Sequence, residues 1–251
     1  VNDGSIEKIP QRFPDCSKFN SIKIMNLKNN IGHARCIATG LKYIMENDEF
    51  DYVIPMDSDG EDRPEEIKDL VQKTETNLEL PVVCERIKRS EGILFKLCYF
   101  FHKLITKTFT GKSIRFGNFT CLPKIIIKKM IEEKATWSSF SGALSKISKD
   151  KIAVSSERGT RYFGPSKMSF KNLIVHSLSI ISVFKYNVLI RSILFFFVYL
   201  FLIHEKISVI TLIPLLLIII FNLLVFVISR RENLENYRKS DLNILDVKIV
   251  K

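Results

Sequence analysis

Residues 52–66 read Tyr52-Val53-Ile54-Pro55-Met56-Asp57-Ser58-Asp59-Gly60-Glu61-Asp62-Arg63-Pro64-Glu65-Glu66, an apolar run that passes directly into a cluster of acidic side chains. The apolar run is typical of a short buried strand. Acidic side chains crowded at the end of such a strand repel one another, and removing them from water costs free energy. A bound cation relieves that cost, and the oxygen ligands of Asp57, Asp59 and Glu61 suit Mg²⁺ or Mn²⁺.

The same stretch has a second interpretation that involves no metal. Asp62 and Glu65, with Pro64 between them, match the N-cap and capping box of a helix. The two interpretations are compatible, because Asp62 and Glu65 can begin a helix while the earlier acidic residues face a metal. The spacing alone leaves both open.

The segments around this stretch alternate between strand and helix patterns. Strands are predicted at residues 21–27, 52–56 and 80–84, and helices at residues 31–45 and 64–75. This order predicts an α/β fold with a mostly parallel sheet and helices on both faces. Ligands of such sheets lie beyond the carboxyl ends of the strands, where Asp57, Asp59 and the turn at residues 1–5 would fall.

Two apolar runs near the end of the chain predict a transmembrane hairpin. Residues 207–228 carry no charge, and 22 helical residues span roughly 33 Å, enough for a bilayer core. Residues 187–203 reach the lower length limit for a span if Arg191 extends toward the headgroups. A helix pair buried in a soluble core is the alternative, but long stretches that are apolar on every face suit lipid better.

Basic residues around the hairpin predict its orientation. They precede it at Lys167, Lys171, Lys185 and Arg191 and follow it at Arg230, Arg231, Arg238 and Lys239, whereas the connector carries Lys206 alone. The positive-inside rule then puts both flanks in the cytoplasm. We therefore expect a cytoplasmic domain at residues 1–165, a juxtamembrane amphipathic segment at 166–186, the hairpin at 187–229 and a cytoplasmic tail at 230–251.

Composition points to an anionic partner. The chain has 38 Lys and Arg against 27 Asp and Glu, a formal charge of +11, which favours lipid headgroups, phosphorylated substrates or nucleic acid. We find no RNP-like motif, zinc-finger spacing or helix-turn-helix pattern, so we expect no nucleic-acid partner. The five cysteines are scattered without a C-x-x-C motif, as expected of reduced cytosolic thiols.

Several short motifs then occur in order along the chain. They are Val1-Asn2-Asp3-Gly4-Ser5, Asn30-Ile31-Gly32, Met56-Asp57-Ser58-Asp59-Gly60-Glu61-Asp62-Arg63-Pro64-Glu65, the pair Arg86 and Arg89, Phe116-Gly117-Asn118-Phe119, and Arg161-Tyr162-Phe163-Gly164-Pro165-Ser166-Lys167. This ordered set resembles the family 2 glycosyltransferases of the GT-A fold. Within that family it looks like the polyprenyl-phosphate glycosyltransferases related to dolichyl-phosphate mannose synthase and the bacterial GtrB proteins.

The resemblance implies a donor site and a metal site. Asp3 matches the acidic residue that contacts the nucleoside of the sugar donor, although a simple turn former is the alternative. Gly4, Asn30, Gly32 and Asp57 fall with it on the donor side. Asp57 and Asp59 match the D-x-D pair that binds Mg²⁺ or Mn²⁺ at the donor diphosphate, with Asp59 in a catalytic role. Glu61 stands where these enzymes often have Gln near the same metal.

The resemblance also implies an acceptor site for a lipid phosphate. The matching positions are Arg86, Arg89, Arg161, Ser166 and Lys167, and guanidinium groups suit a phosphate. A solvated basic face is the alternative for Arg86 and Arg89, and ordinary interfacial anchoring is the alternative for Ser166 and Lys167.

Two departures from the family pattern bear on activity. Asn118 occupies the position where the family commonly has the Asp that is the candidate acceptor-side base, and Asn cannot take up a proton. The family's domain also opens with a strand and helix that would precede Val1. We therefore expect an N-terminally truncated chain that lacks the first strand and is inactive alone.

The resulting hypothesis is a membrane-bound transferase. It would move a sugar from a nucleotide-diphosphate sugar to a polyprenyl phosphate, with its catalytic domain on the cytoplasmic side of a bacterial-type inner membrane. A glycolipid acceptor and a non-catalytic membrane scaffold of the same fold are the alternatives. The apolar helix predicted around residues 92–101 suits the bilayer surface, a subunit contact in a homo-oligomer, or core packing.

Overall fold

A computed structural model describes residues 1–5, 18–88, 93–162, 164 and 169–251, with side chains at all of these positions except 86–88 and 93–96. The strands are β1 (Lys23–Leu27), β2 (Tyr52–Val53), β3 (Val82–Lys88), β4 (Phe116–Pro123), β5 (Ile152–Glu157) and β6 (Ile244–Ile249). The helices are α1 (His33–Asn47), α2 (Ile67–Glu75), α3 (Ile93–Thr110), α4 (Lys124–Glu132), α5 (Phe140–Ile147), α6 (Phe170–Ser182), α7 (Lys185–Ile203), α8 (Val209–Ser229) and α9 (Leu234–Arg238). Short 3₁₀ helices lie at Pro64–Glu66, Lys134–Trp137 and Ser240–Asn243.

The main sheet has four strands in the order β2-β4-β3-β5. Strand β4 is antiparallel to both of its neighbours, with Tyr52 opposite Pro123 and Val82 opposite Cys121. Strands β3 and β5 are parallel, with Val82 opposite Ile152. The sheet is therefore mixed, and two of its three ladders are antiparallel.

The α/β fold with helices on both faces of the sheet is confirmed, but the prediction of a mostly parallel sheet is wrong for the described strands. The sequence pattern correctly implied that β2 and β3 run in the same direction, as strands joined by a helix do. They are not neighbours, however. Strand β4, which the sequence analysis did not identify, lies between them and runs the opposite way.

The sheet separates two apolar clusters because successive side chains of a strand point to opposite faces. On one face, Val83 and Leu122 contact the buried side chains of α1, α4 and α5. On the other face, Phe119 and Cys121 contact Leu70 of α2. The acidic stretch follows β2, at one edge of this two-sided core.

The end of the chain returns to its beginning. Strand β6 pairs with β1 in a separate antiparallel sheet in which Lys23 lies opposite Ile249. Just before β6, the ring of Tyr237 stacks on Trp137 with centroids 5.6 Å apart. Residues 230–251, which we expected to form a tail, are thus structured against the first half of the chain.

Helices α7 and α8 are each long and apolar enough to cross a membrane. Only 11% of the most apolar window in either helix is buried. That exposure does not fit the alternative of a helix pair inside a soluble core, because such helices would be covered by other elements. The two helices pack against each other and α8 also packs against α6.

Candidate active site

The acidic loop, residues 57–62, follows β2 and is stabilised by hydrogen bonds from its own backbone N–H groups to its own carboxylates. The Asp57 backbone N–H donates to Asp62 Oδ2 at 3.0 Å, and the Glu61 N–H donates to Asp59 Oδ1 at 3.0 Å. The predicted capping box is therefore wrong: Arg63 is the N-cap residue of the following 3₁₀ helix, and no side chain caps it. The buried carboxylate of Asp62 fixes the loop instead of the helix.

Asp57 lies beside a residue from β4. Asn118 Nδ2 donates to Asp57 Oδ1 at 2.9 Å, so the two predicted site residues meet although 61 positions separate them. His33, the first residue of α1, places its Nε2 3.8 Å from the same oxygen. The side chain of Asp57 is thus held from two elements while 33% of it stays exposed.

Two arginines meet Asp59 and Glu61 on the other side of the loop. Arg161 places Nη1 3.0 Å from Asp59 Oδ2 and donates through Nε to Glu61 Oε1 at 2.7 Å. Arg158 donates to the other oxygen of Glu61. Burial alone would raise the pKa of Glu61, but the hydrogen bonds from Arg158 and Arg161 outweigh it and lower the pKa. The bond to Glu61 in turn raises the pKa of Arg161.

These arginines belong to a segment, Arg158–Tyr162, that lies across the acidic loop and is called the strap here. The Gly159 N–H donates to the Glu61 carbonyl and the Tyr162 N–H to the Asp59 carbonyl, both at 2.9 Å. A Cβ at Gly159 would lie 2.2 Å from the carbonyl oxygen of Gly60. Glycine at position 159 is therefore what lets the strap approach the loop.

The predicted donor-side residues also come together. The two carboxylate oxygens of Asp3 accept the backbone N–H groups of Ile31 and Gly32 at 2.8 and 2.9 Å. A Cβ at Gly4 would lie 2.7 Å from the backbone nitrogen of Asn30, and Gly4 has a φ of 64°. The turn thus needs a residue without Cβ, and Asp3 ties it to the start of α1.

Asp57 and Asp59 suit a divalent cation that arrives with a substrate. Within the described part of the chain, no group of three or more His, Cys, Asp or Glu side chains is arranged to hold a metal ion. Mg²⁺ at nucleotide sites commonly takes one or two carboxylates and completes its shell with phosphates and water. Both aspartates are one-third exposed and offer such oxygens. Glu61 is held by arginines on both oxygens, so its place on a metal stays a prediction.

The described residues include only part of the predicted acceptor set. Arg161 is at the acidic loop, and the backbone of Arg86 pairs with Ser156 between β3 and β5. Arg89, Ser166 and Lys167 lie outside the described residues. Two further residues contact the loop carboxylates and were not predicted from the sequence, Arg158 and His33. The signal for Arg158 was a second arginine three positions before Arg161, but nothing in the sequence distinguished His33.

Comparison with known proteins gives a family match to the first half of the chain and two relatives that match a longer part of it. Residues 1–124 match the family model described as Glycosyl transferase family 2. The chain is 26% identical over 176 residues to the "Uncharacterized glycosyltransferase sll0501" of Synechocystis sp., which covers 69% of this chain and 54% of that protein. It is 26% identical over 191 residues to the "Uncharacterized glycosyltransferase YkcC" of Bacillus subtilis, which covers 74% of this chain and 58% of that protein. The matched part thus spans little more than half the length of these relatives.

The match and the geometry coincide. The Asp3 turn, the acidic loop, Asn118 and strands β1 to β4 all lie within the matched residues 1–124. The resemblance to family 2 is therefore confirmed, whereas the polyprenyl-phosphate subgroup stays a prediction. Residues 1–124 are thus similar to the glycosyl transferase family 2 domain.

Proposed function

We propose that this protein is a membrane-anchored glycosyltransferase that moves a sugar from a nucleotide-diphosphate sugar to a polyprenyl phosphate. The observation that carries the proposal is the acidic loop inside a family 2 domain. Its exposed carboxylates, Asp57 and Asp59, lie between an amide from β4 and the guanidinium of Arg161. The relatives named as glycosyltransferases support the reaction class.

The donor half of the reaction rests on charge. A nucleotide diphosphate leaves as an anion, and Mg²⁺ or Mn²⁺ held by Asp57 and Asp59 would stabilise that charge when bound. Arg161 adds a permanent positive charge beside Asp59. The turn that carries Asp3 and Gly4, together with Gly32 to which Asp3 is hydrogen-bonded, would lie against the nucleoside, as the family resemblance implies.

The acceptor half requires little proton transfer. A lipid phosphate is already ionised at neutral pH and can attack the anomeric carbon without a base, so a single displacement inverts the configuration. Asn118 fits this acceptor better than a hydroxyl acceptor, because an amide cannot accept a proton. Arg86, Arg89, Ser166 and Lys167 keep their predicted role at the acceptor phosphate.

The anchor is the helix pair α7 and α8. Pairing of β1 with β6 joins residues before the hairpin to residues after it, so both flanks lie on one side of the bilayer. The basic residues of these flanks favour the cytoplasmic side of a bacterial-type plasma membrane.

The test is transfer of radiolabelled sugar in membranes that contain the full-length protein. UDP-glucose and GDP-mannose serve as donors, with Mg²⁺ or with EDTA. We expect a metal-dependent product that enters organic solvent and releases its sugar in mild acid, as glycosyl phosphates do. An acid-stable lipid product would identify a glycolipid acceptor instead.

Asp59→Asn is the decisive variant, with Asp69→Asn as its matched control because Asp69 is an exposed aspartate in α2. We expect loss of transfer in the first and full transfer in the second. Full activity of Asp59→Asn in EDTA would disprove the metal assignment. Absence of product with every donor, while the protein stays folded, would favour the scaffold alternative.

A further inference from the structure

Helix α3 carries an apolar stripe, defined here as Leu97, Phe100, Phe101 and Leu104. The spacing i, i+3, i+4, i+7 puts the four side chains on one face of the helix. Their exposed fractions are 50%, 58%, 50% and 50%. Soluble proteins rarely leave a contiguous patch of this kind uncovered, and such patches mark protein or membrane contacts.

The stripe is not the side of α3 that faces the protein. Thr106 and Thr110, on the opposite side of the helix, are buried, and the ring of Phe109 lies 5.0 Å from that of Phe221 in α8. Core packing, one of the three interpretations of this apolar helix, therefore accounts for the threonine side. It leaves the stripe unexplained.

The C-terminal end of α3 is fixed to the start of the first hairpin helix. Arg191 Nη1 donates to the Thr108 carbonyl at 3.0 Å, and Asn187 Nδ2 donates to the Thr110 carbonyl at 3.3 Å. These carbonyls lie in the last turn of α3, where intrahelical partners run out and the helix dipole favours a cation. The end of α3 is therefore level with the first two turns of α7.

Phe109 adds a contact with the other hairpin helix. Its partner Phe221 lies in the half of α8 that leads back to the domain, eight residues before the helix ends at Ser229. Helix α3 thus contacts both hairpin helices in the halves that join the domain. If the hairpin crosses a bilayer, these halves run from the headgroups into the adjoining acyl chains.

The charged residues beside the stripe also favour a location at the membrane surface. Lys103 and Lys107 follow one edge of the stripe at helical spacing, and both are exposed. The Lys103 ammonium lies 4.6 Å from the centre of the Tyr99 ring. Apolar residues flanked by lysines are typical of helices that lie in a membrane surface, where the cations meet anionic headgroups.

We propose that α3 is an in-plane membrane helix whose apolar stripe inserts among the lipid acyl chains beside the hairpin. The proposal rests on the membrane anchor of the proposed function and adds a second contact with the same bilayer. Strand β3 leads into α3 along the chain, so this contact brings the end of the sheet that carries Arg86 toward the headgroups. A lipid-linked acceptor would then meet the domain where its phosphate lies.

The experiment uses tryptophan fluorescence of the whole protein in phosphatidylcholine–phosphatidylglycerol vesicles with brominated acyl chains, which quench tryptophan on contact. The chain has one tryptophan, Trp137, which is buried and supplies a constant background. Phe100→Trp reports on the stripe. Leu78→Trp is the matched control, because Leu78 is exposed to a similar fraction, 54%, in the loop after α2. Phe197→Trp, on an exposed side of α7, reports on the hairpin.

We expect brominated lipid to lower the added emission of Phe100→Trp and Phe197→Trp, and to leave that of Leu78→Trp unchanged. Quenching at Phe197 without quenching at Phe100 would overturn the proposal. This is the result expected if a second copy of the chain, and not lipid, covers the stripe. It would leave the anchor intact. Absence of quenching at Phe197 would overturn the membrane anchor itself, and with it this proposal.

Discussion

At the scale of single residues, the acidic loop shows several ways of compensating a carboxylate. Asp62 accepts a hydrogen bond from a backbone N–H, Asp57 accepts one from the side-chain amide of Asn118, and Glu61 accepts hydrogen bonds from two arginines. The sequence suggested a cation for Asp57, Asp59 and Glu61 and a helix cap for Asp62. In the described structure Glu61 and Asp62 are buried, whereas Asp57 and Asp59 stay one-third exposed, although Asp59 is also paired with Arg161.

Glu61 should therefore contribute to stability as the anchor of the strap. Glu61→Ala removes the carboxylate, only 10% exposed, that both Arg158 and Arg161 contact. Loss of these contacts should lower the free energy of unfolding by about 1.5–3 kcal/mol. We expect the midpoint of thermal unfolding in detergent to fall by roughly 3–10 °C. Glu65→Ala is the control, because Glu65 is 74% exposed and its pair with Arg63 is 3.8 Å long. Equal midpoints for the two variants would contradict an anchoring role.

Asn118 should matter most when no cation is present. Asn118→Asp replaces the donor to Asp57 with a second carboxylate, which combines a lost hydrogen bond with like-charge repulsion worth about 1–3 kcal/mol. We expect a lower melting temperature in EDTA and a difference from the parent protein that shrinks in saturating Mg²⁺. Thermal melts in both solutions measure it. A decrease that is the same with and without Mg²⁺ would show that Asn118 does not sense the metal position.

At the scale of elements, the sequence was informative where periodicity was strong and uninformative where contacts are distant in sequence. The predicted strand at residues 21–27 and helix at residues 31–45 appear as β1 and α1, with boundaries shifted by about two residues. The predicted strand at 52–56 is reduced to Tyr52–Val53, because the residues after it turn into the acidic loop. Strand β4 was recognised only as a motif around Asn118, and its antiparallel position depends on partners far away in the chain.

The strap was the element hardest to predict from the sequence, since it depends on Gly60 and Gly159, which lie in separate segments. Gly159→Ala would put a Cβ 2.2 Å from the Gly60 carbonyl oxygen, and overpacking of this kind costs roughly 1–3 kcal/mol. We expect faster proteolysis within residues 158–162 and a lower melting temperature. Gly117→Ala is the control, because among the described residues, apart from its two chain neighbours, no atom lies within 4 Å of the added Cβ. Proteolysis at the parental rate in Gly159→Ala would mean that the strap does not rest on the loop.

At the scale of the whole molecule, the pairing of β1 with β6 constrains the topology of the hairpin. Lys206→Cys in the connector should react with an impermeant thiol reagent applied to intact cells, whereas Arg238→Cys should react only after permeabilisation. The five native cysteines all precede the hairpin, so the parent protein should stay unlabelled from outside. Labelling of Arg238→Cys in intact cells would refute the cytoplasmic assignment.

Because residues 230–251 pack against the first half of the chain, the fluorescence of Trp137 can report on this contact. Tyr237, 1% exposed, covers Trp137 while the Arg35 guanidinium lies 5.4 Å from the centre of the same indole ring. Removing a buried aromatic ring costs about 3–5 kcal/mol, so Tyr237→Ala should destabilise the protein and shift the Trp137 emission to longer wavelength.

Two further variants separate the ring from its hydroxyl and from exposed tyrosines. The Tyr237 hydroxyl has no hydrogen-bond partner among the described residues, so Tyr237→Phe should leave stability unchanged or slightly raised. Tyr186→Ala, at a position 67% exposed, should leave the emission maximum in place. An unshifted maximum in Tyr237→Ala would mean that residues 230–251 do not rest on the domain. The two flanks of the hairpin would then no longer be tied to the same side of the membrane by this contact.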